Sequence, residues 1–142
     1  MPDPETCILH ASTVAYRGRA VLIRGASGSG KSALALQLMA LGASLVADDR
    51  TVLTRGPEGL VASAPETIRG LIEARGVGLL RAETVAAAPV FLAIDLDADE
   101  TERMPPPREV EILGVPLPLL RRVDRPYFPA AILQFLIAGP RF

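Results

Sequence analysis

A glycine-rich segment that ends in a lysine and a serine suggests the clearest chemistry in this sequence. Residues 25–32 follow the pattern G-x-x-x-x-G-K-[ST] and read Gly25, Ala26, Ser27, Gly28, Ser29, Gly30, Lys31 and Ser32. Successive backbone N–H groups of such a loop form a cradle for phosphate, and the lysine adds a full positive charge. The hydroxyl of Ser32 is placed to bind Mg²⁺, which prefers oxygen ligands. The pattern predicts a site for a nucleoside triphosphate.

Two aspartates follow the next predicted strand. An apolar strand over 20–24 leads into the loop, a helix over 33–41 leaves it, and a buried strand over 44–47 ends in Asp48 and Asp49. Carboxylates at this point can hold Mg²⁺ through water or accept a proton from an attacking hydroxyl. Because side chains alternate along an extended strand, we expect only one of the two to point at the phosphates.

Other titratable side chains have two readings each. His10, the only histidine, lies on a strand predicted to pair beside the loop-bearing strand, where it is either a core residue or a group that reaches the phosphates. Glu73 and Arg75 form either a surface ion pair or a metal carboxylate with a guanidinium that spreads phosphoryl charge. Arg103, in a charged and proline-rich loop predicted over 97–109, either arrives at the site on closure or is solvated.

Composition and charge narrow the class of protein. The 142 residues are 49% hydrophobic and fit one domain over 1–142. A formal net charge of −1 gives no reason to expect nucleic acid or an anionic membrane as a partner. No apolar run is as long as a membrane span, and the single cysteine, Cys7, forms no disulfide within the chain. We expect a cytoplasmic protein.

The predicted elements must bring these groups together. Strands predicted over 7–15 and 20–24 form a hairpin through a turn at 16–19, and strands over 51–54 and 60–63 form a second. Further elements are a buried strand over 89–95, an interrupted strand over 110–119 and a helix over 129–138. Strands and hairpins outnumber helices, so the prediction is an α/β domain with a mixed sheet and few helices.

Four segments in this order resemble one known family. They are His10, residues 25–32, residues 46–49 with the sequence Val-Ala-Asp-Asp, and residues 72–78. Together they resemble the catalytic domain of HPr kinase/phosphorylase. That family's histidine precedes the first loop glycine by fifteen residues, as His10 precedes Gly25 here. The resemblance implies a P-loop kinase domain of the type that is also found in phosphoenolpyruvate carboxykinase.

The resemblance also implies an activity and roles for residues. A member of this family uses ATP and Mg²⁺ to phosphorylate a serine of the phosphocarrier HPr, which regulates the phosphotransferase system, and removes the phosphate by phosphorolysis. Asp49, with Asp48 beside it, would exchange the serine proton, while His10 would assist phosphate handling and Lys31 would bind phosphate. Ser32 and Glu73 would hold Mg²⁺, and Arg103 would be the catalytic arginine. Family members assemble as hexamers, which implies a homo-oligomer.

Two departures from the family pattern keep alternatives open. The catalytic region begins almost at Met1, as in a short form without the additional N-terminal domain, and residues 120–126 lack the glycine of the family's later basic motif. A kinase for small molecules would need a lid and an acceptor pocket. A nucleotide-binding regulator would bind ATP without transferring phosphate. Both remain alternatives to a protein-serine kinase.

Overall fold

Strands make up most of the structure. The computed structural model describes residues 5–140. Within that range the chain forms eleven strands, two α-helices and one short 3₁₀-helix. In chain order these elements are β1 (Thr6–Leu9), β2 (Ala11–Tyr16), β3 (Arg19–Arg24), α1 (Lys31–Ala40), β4 (Ser44–Ala47), β5 (Thr51–Gly56), β6 (Gly59–Ser63), the 3₁₀-helix (Glu66–Ile68), β7 (Leu71–Ala74), β8 (Gly78–Arg81), β9 (Ala87–Asp99), β10 (Glu109–Ile112), β11 (Val115–Arg122) and α2 (Phe128–Ala138).

The larger of two sheets is mixed. Its strand order is β1-β5-β6-β9-β3-β2-β4, and β11 joins it through β9 and carries β10. β9 runs parallel to β3 and to β11, whereas the other pairs of this sheet are antiparallel. β7 and β8 form a separate hairpin. The predicted α/β fold with a mixed sheet, hairpins and few helices is confirmed, and β3, β9 and β11 end at the same edge.

Helix α1 forms where the sequence predicts it and ends at a glycine. Gly42 has a φ of +110°, in the left-handed region that favours glycine. The N–H of Gly42 donates to the carbonyl of Met39, and the N–H of Ala43 donates to that of Leu38, at 3.0 and 3.1 Å. This pair of hydrogen bonds is a Schellman cap. It turns the chain sharply from α1 into β4, which ends at the two aspartates.

Both faces of β3 are buried. Val21 and Ile23 point toward the two helices, while Leu22 belongs to the core on the opposite face. On the helix side, Leu34 and Leu38 of α1 recur four residues apart and join the same core. The strand that delivers the glycine-rich loop is therefore fixed on both sides by apolar packing.

The first predicted strand is wrong in one respect. The structure divides 7–15 at His10 into β1, which pairs with β5, and β2, which pairs with β3 and β4. His10 lies at the bend where the chain passes from one pairing to the other. A strand can change partners only where its ladder is interrupted, and the sequence around His10 carries no glycine or proline to reveal this point.

Two further differences affect the surroundings of the loop. The hairpin β7–β8 was not predicted, because residues 71–81 lack a clear alternation of apolar and polar residues. β9 is longer than the predicted 89–95, so the charged loop is shortened to 100–108. Arg108 closes its base with two hydrogen bonds to the carboxylate of Glu100, at 2.9 and 3.0 Å.

Candidate active site

The glycine-rich loop leaves β3 directly and runs into α1. Gly28 and Gly30 have φ values of +83° and +101°, and a Cβ built on either would meet no atom within 4 Å. The backbone conformation therefore favours glycine at both positions, and the space beside them is open. The first N–H groups of a helix have no intrahelical acceptor, so those of α1 are available to an anion. This geometry suits a phosphate group.

Lys31 is held against the loop although it bears a charge. Its side chain is buried, with 6% of the residue exposed, and Nζ donates to the carbonyls of Gly25 and Ala26 at 2.9 and 3.0 Å. The N–H of Ala26 donates in turn to both carboxylate oxygens of Asp97, at 3.0 and 3.1 Å. The lysine charge is therefore held against the loop, and Asp97 fixes the first turn of the loop.

Asp48 is the most connected carboxylate of the site. It is 7% exposed. Its Oδ1 accepts hydrogen bonds from the hydroxyls of Ser32 and Ser12, at 2.6 and 2.8 Å, and its Oδ2 accepts the backbone N–H of Glu73 at 3.0 Å. Three separate segments therefore meet at one buried carboxylate, which satisfies the requirement that a buried charge be hydrogen-bonded.

Asp49 is exposed and lies against the histidine. Its Oδ1 is 2.5 Å from Nε2 of His10, and the two side chains are 57% and 47% exposed. Asp49 has a φ of +66°, and its N–H donates to the Ser12 hydroxyl at 3.1 Å. The expectation that only one aspartate faces the site assumed extended backbone. The strand ends at Ala47, and both carboxylates line the same cleft.

This cleft has a volume of about 520 Å³. It brings together most of the predicted site residues, including Lys31, Ser32, Asp48, Asp49 and Glu73. Glu73 reaches it from β7, the hairpin strand that was not predicted. Arg75 lines it as well, just beyond the end of β7. Serine and carboxylate oxygens on one wall and a lysine at the phosphate loop are suited to binding a metal–phosphate group.

Arg103 is not brought to the cleft. It is exposed in the 100–108 segment and is absent from the residues that line this volume. The sequence analysis also missed two residues of the site. Ser12 contacts both aspartates, and Asp97 contacts the phosphate loop. Neither residue belongs to a recognisable sequence motif. Only the pairing of β2 with β4 and of β9 with β3 places them there.

Two features are absent from the described part of the chain. Over residues 5–140 no three or more histidine, cysteine, aspartate or glutamate side chains are grouped so that they could hold a metal ion by themselves. In the same range neither helix has the length and apolar character needed to cross a membrane.

Comparisons with known proteins agree with a phosphate-binding site in this cleft. The sequence model of the family described as the HPr Serine kinase C-terminal domain matches residues 4–89. HPr kinase/phosphorylase from Caldicellulosiruptor bescii is 37% identical over 137 residues, which cover 87% of this chain and 44% of the relative. The protein of the same name from Geobacillus thermodenitrificans is 36% identical over 134 residues, covering 85% and 43%.

A solved structure matches over most of its length. It is the Hpr(Ser) kinase/phosphatase from Coxiella burnetii, with a TM-score of 0.77 and 28% sequence identity. The match covers 92% of this chain and 88% of that one. By contrast, the chain spans 32% to 44% of the length of the first curated relatives. The predicted P-loop kinase type of fold is confirmed by the structural match.

Proposed function

The chain belongs to the HPr Serine kinase C-terminal domain family, and on this premise we propose that it is an ATP-dependent kinase that phosphorylates a serine of an HPr-type phosphocarrier protein. The observation that carries the proposal is the shared cleft. There, the phosphate loop with Lys31 and Ser32 faces the pair Asp48 and Asp49. A loop alone would explain nucleotide binding, whereas an exposed carboxylate opposite it supplies a group that can act on an acceptor hydroxyl.

Phosphate binding would be the task of the loop and of Lys31. Without a ligand, the ammonium group of Lys31 donates to two loop carbonyls. A phosphate oxygen offers it a full opposite charge, and charge-assisted hydrogen bonds are roughly twice as strong as neutral ones. The N–H groups at the start of α1 would hold further phosphate oxygens. These contacts would orient the γ-phosphate toward the aspartates that line the same cleft.

Mg²⁺ fits the oxygen groups beside the loop. The Ser32 hydroxyl is bonded to Asp48, and Glu73 lines the same cleft. Such a set suits a hard cation that keeps several waters and shares phosphate oxygens, as Mg²⁺ does. We propose Ser32, Asp48 and Glu73 as the residues that hold it. When bound, Mg²⁺ would neutralise charge on the phosphate oxygens during transfer.

Asp49 would position the serine hydroxyl and accept its proton. The serine oxygen then forms a bond to the γ-phosphorus while the bond to the bridging oxygen of ADP breaks. His10, hydrogen-bonded to Asp49, would fix the orientation of this carboxylate and stabilise the added proton. Arginine at the site would spread the charge of the transferring group, and Arg75 and Arg103 are the two candidates.

The reverse reaction would use the same groups. Inorganic phosphate would attack the phosphorus of phosphoserine, pyrophosphate would form, and Asp49 would return its proton to the serine oxygen. The names of the relatives, HPr kinase/phosphorylase, support this part of the proposal. We further propose that the protein is cytoplasmic and forms a homo-oligomer. Size-exclusion chromatography with light scattering would measure the molar mass of the oligomer.

The test of the function is transfer from labelled ATP. The full chain is incubated with Mg²⁺, γ-labelled ATP and the HPr-type phosphocarrier of the source organism, and excess inorganic phosphate is then added. We expect labelled phosphoserine on the carrier, followed by loss of label as pyrophosphate. ATP binding without transfer would contradict the proposal and favour a nucleotide-binding regulator. Consumption of ATP with free metabolites alone would instead favour a small-molecule kinase.

A further inference from the structure

One peptide group of the phosphate loop is held at both of its polar atoms. It joins Gly25 to Ala26. Its carbonyl, that of Gly25, accepts a hydrogen bond from Nζ of Lys31 at 2.9 Å. Its N–H, that of Ala26, donates to both carboxylate oxygens of Asp97 at 3.0 and 3.1 Å. Because the carbonyl and the N–H of a trans peptide point in opposite directions, the ammonium and the carboxylate lie on opposite sides of this peptide.

We propose that Asp97 is a positioning residue for Lys31. The inference deepens the proposed kinase function, since Lys31 is the group proposed to bind phosphate. Lys31 lines the acidic cleft, which is the cleft that also contains Asp48 and Asp49. Asp97 forms no ion pair with Lys31 in the part of the chain described. Its effect on the ammonium group therefore passes through the peptide between them.

The carboxylate fixes the direction of the peptide. While the N–H of Ala26 is bonded to Asp97, the peptide cannot turn without breaking that bond, so the carbonyl of Gly25 stays directed at Nζ of Lys31. A charged acceptor on the N–H also polarises the peptide, which strengthens the hydrogen bond that its carbonyl accepts. Both effects keep the ammonium group against the loop.

The second contact of Lys31 belongs to the same turn. Nζ also donates to the carbonyl of Ala26 at 3.0 Å, and this carbonyl accepts the N–H of Ser29 at 3.0 Å. The N–H held by Asp97 thus lies between the two carbonyls that hold the ammonium group. Ala26 is exposed, so its side chain adds little apolar packing to fix this turn. The hydrogen bonds are what hold it.

The end of β9 places Asp97 beside the loop. β9 runs parallel to β3, with Asp95 opposite Arg24, and the loop begins directly after Arg24. The N–H of Asp97 donates to Oδ1 of Asp95 at 2.9 Å. A bond from a side chain to the backbone two residues on makes a local turn. The Asp97 backbone is therefore ordered independently of the loop that it contacts.

Acylation of the single lysine measures the effect on Lys31 directly. The ligand-free full chain and its variants are treated with an amine-acylating reagent at one pH, and peptide mass spectrometry follows the rate at Lys31, with the α-amino group as internal reference. Lys31 is buried, so its rate reports how often local opening releases it. Asp97→Ala removes the acceptor, whereas Asp97→Asn keeps one oxygen that can accept the N–H of Ala26.

Asp99→Ala is the matched control. Asp99 is also an exposed aspartate of β9, and the N–H of Ala26 donates to Asp97 and not to Asp99. Calorimetry with inorganic tripolyphosphate and Mg²⁺ gives a second measurement on the same proteins. Circular dichroism and thermal unfolding check the fold of each variant.

The proposal expects a change that is specific to the lost acceptor. Asp97→Ala should raise the rate of Lys31 acylation by about threefold or more, and Asp97→Asn should lie between it and the natural chain. Asp97→Ala should also weaken tripolyphosphate binding by about threefold or more, because fewer molecules hold the loop in its binding conformation. Asp99→Ala should change neither value by more than about twofold.

The opposite results would overturn the positioning role. They are an unchanged acylation rate or an unchanged tripolyphosphate affinity in Asp97→Ala, or an equal change in Asp99→Ala. Acylation of the ligand-free chain needs neither ATP nor a carrier protein. The expected acylation and affinity changes in a chain that transfers no phosphate would support the role of Asp97 and contradict the kinase function alone.

Discussion

The hydroxyl of Ser12 donates a 2.8 Å hydrogen bond to the carboxylate of Asp48 and also accepts the N–H of Asp49 at 3.1 Å. Ser12 is fully buried in β2, 36 residues before the aspartate that it contacts. One hydroxyl therefore fixes both the buried carboxylate beside Ser32 and the backbone that presents Asp49 to the cleft.

Removal of this hydroxyl should impair transfer more than nucleotide binding. We expect Ser12→Ala to lower kcat for carrier phosphorylation by about tenfold or more, because a carboxylate loses one of its hydrogen bonds. The KM for ATP should change little. Ser12→Thr, which restores the hydroxyl, should recover much of the rate in the same steady-state assay.

Thr13→Val is the matched control for this prediction. Thr13 is equally buried, but its hydroxyl pairs with Thr51 and contacts neither aspartate. The variant should lose stability in denaturant unfolding while it retains kcat. An equal loss of kcat in Thr13→Val and Ser12→Ala would show that Ser12 acts only through general stability.

Lys31 is the only lysine of the chain, so its role can be isolated. We expect Lys31→Ala to raise the Kd for ATP by about tenfold or more, since a charge-assisted contact to phosphate is lost. An amine-acylating reagent followed by peptide mass spectrometry gives a second readout. ATP should protect Lys31 from acylation and leave labelling of the α-amino group unchanged, and absence of protection would argue against contact with phosphate.

Arg75 should matter more for transfer than Arg103 in the conformation described. Arg75 lines the acidic cleft, whereas Arg103 is exposed on the 100–108 segment. We expect Arg75→Ala to reduce kcat by about 100-fold, the usual range for loss of one electrostatic stabiliser of a transition state. Single-turnover rates of both alanine variants make the comparison. A larger loss in Arg103→Ala would show that its segment closes over the site during catalysis.

The Glu100–Arg108 pair should make the free energy of unfolding depend on pH in the acidic range. Hydrogen bonds from Arg108 lower the pKa of Glu100 from its ordinary value of 4.5 to about 2. Because the folded pKa is depressed, the stabilisation is present above the unfolded pKa and is lost as pH falls toward the folded pKa. Between about pH 5 and pH 2, the free energy of unfolding should fall more steeply for the natural chain than for Glu100→Gln. Parallel curves from denaturant titrations would contradict this assignment.

Local features of the fold could be predicted from sequence, and non-local contacts could not. The phosphate loop, α1 with its cap at Gly42, and β4 ending at Asp48 are set by neighbouring residues and their periodicity. The contact of His10 with Asp49 joins residues 39 apart and depends on how β1 and β2 divide at a bend. Asp97 reaches the loop because β9 lies parallel to β3, and no spacing in the sequence reveals that neighbour. The same holds for Arg75, whose approach to the cleft depends on the unpredicted β7–β8 hairpin.

Asp49→Asn tests the central claim most directly, because it keeps the shape of the side chain and removes its capacity to accept a proton. The measurement is the rate of phosphoserine formation on the carrier by mass spectrometry, with the Kd for ATP from calorimetry on the same preparation. We predict a loss of rate of about 100-fold or more and a Kd within about threefold of the natural chain. A comparable loss of ATP binding, or a normal rate of transfer, would contradict the role of Asp49 as the group that receives the serine proton.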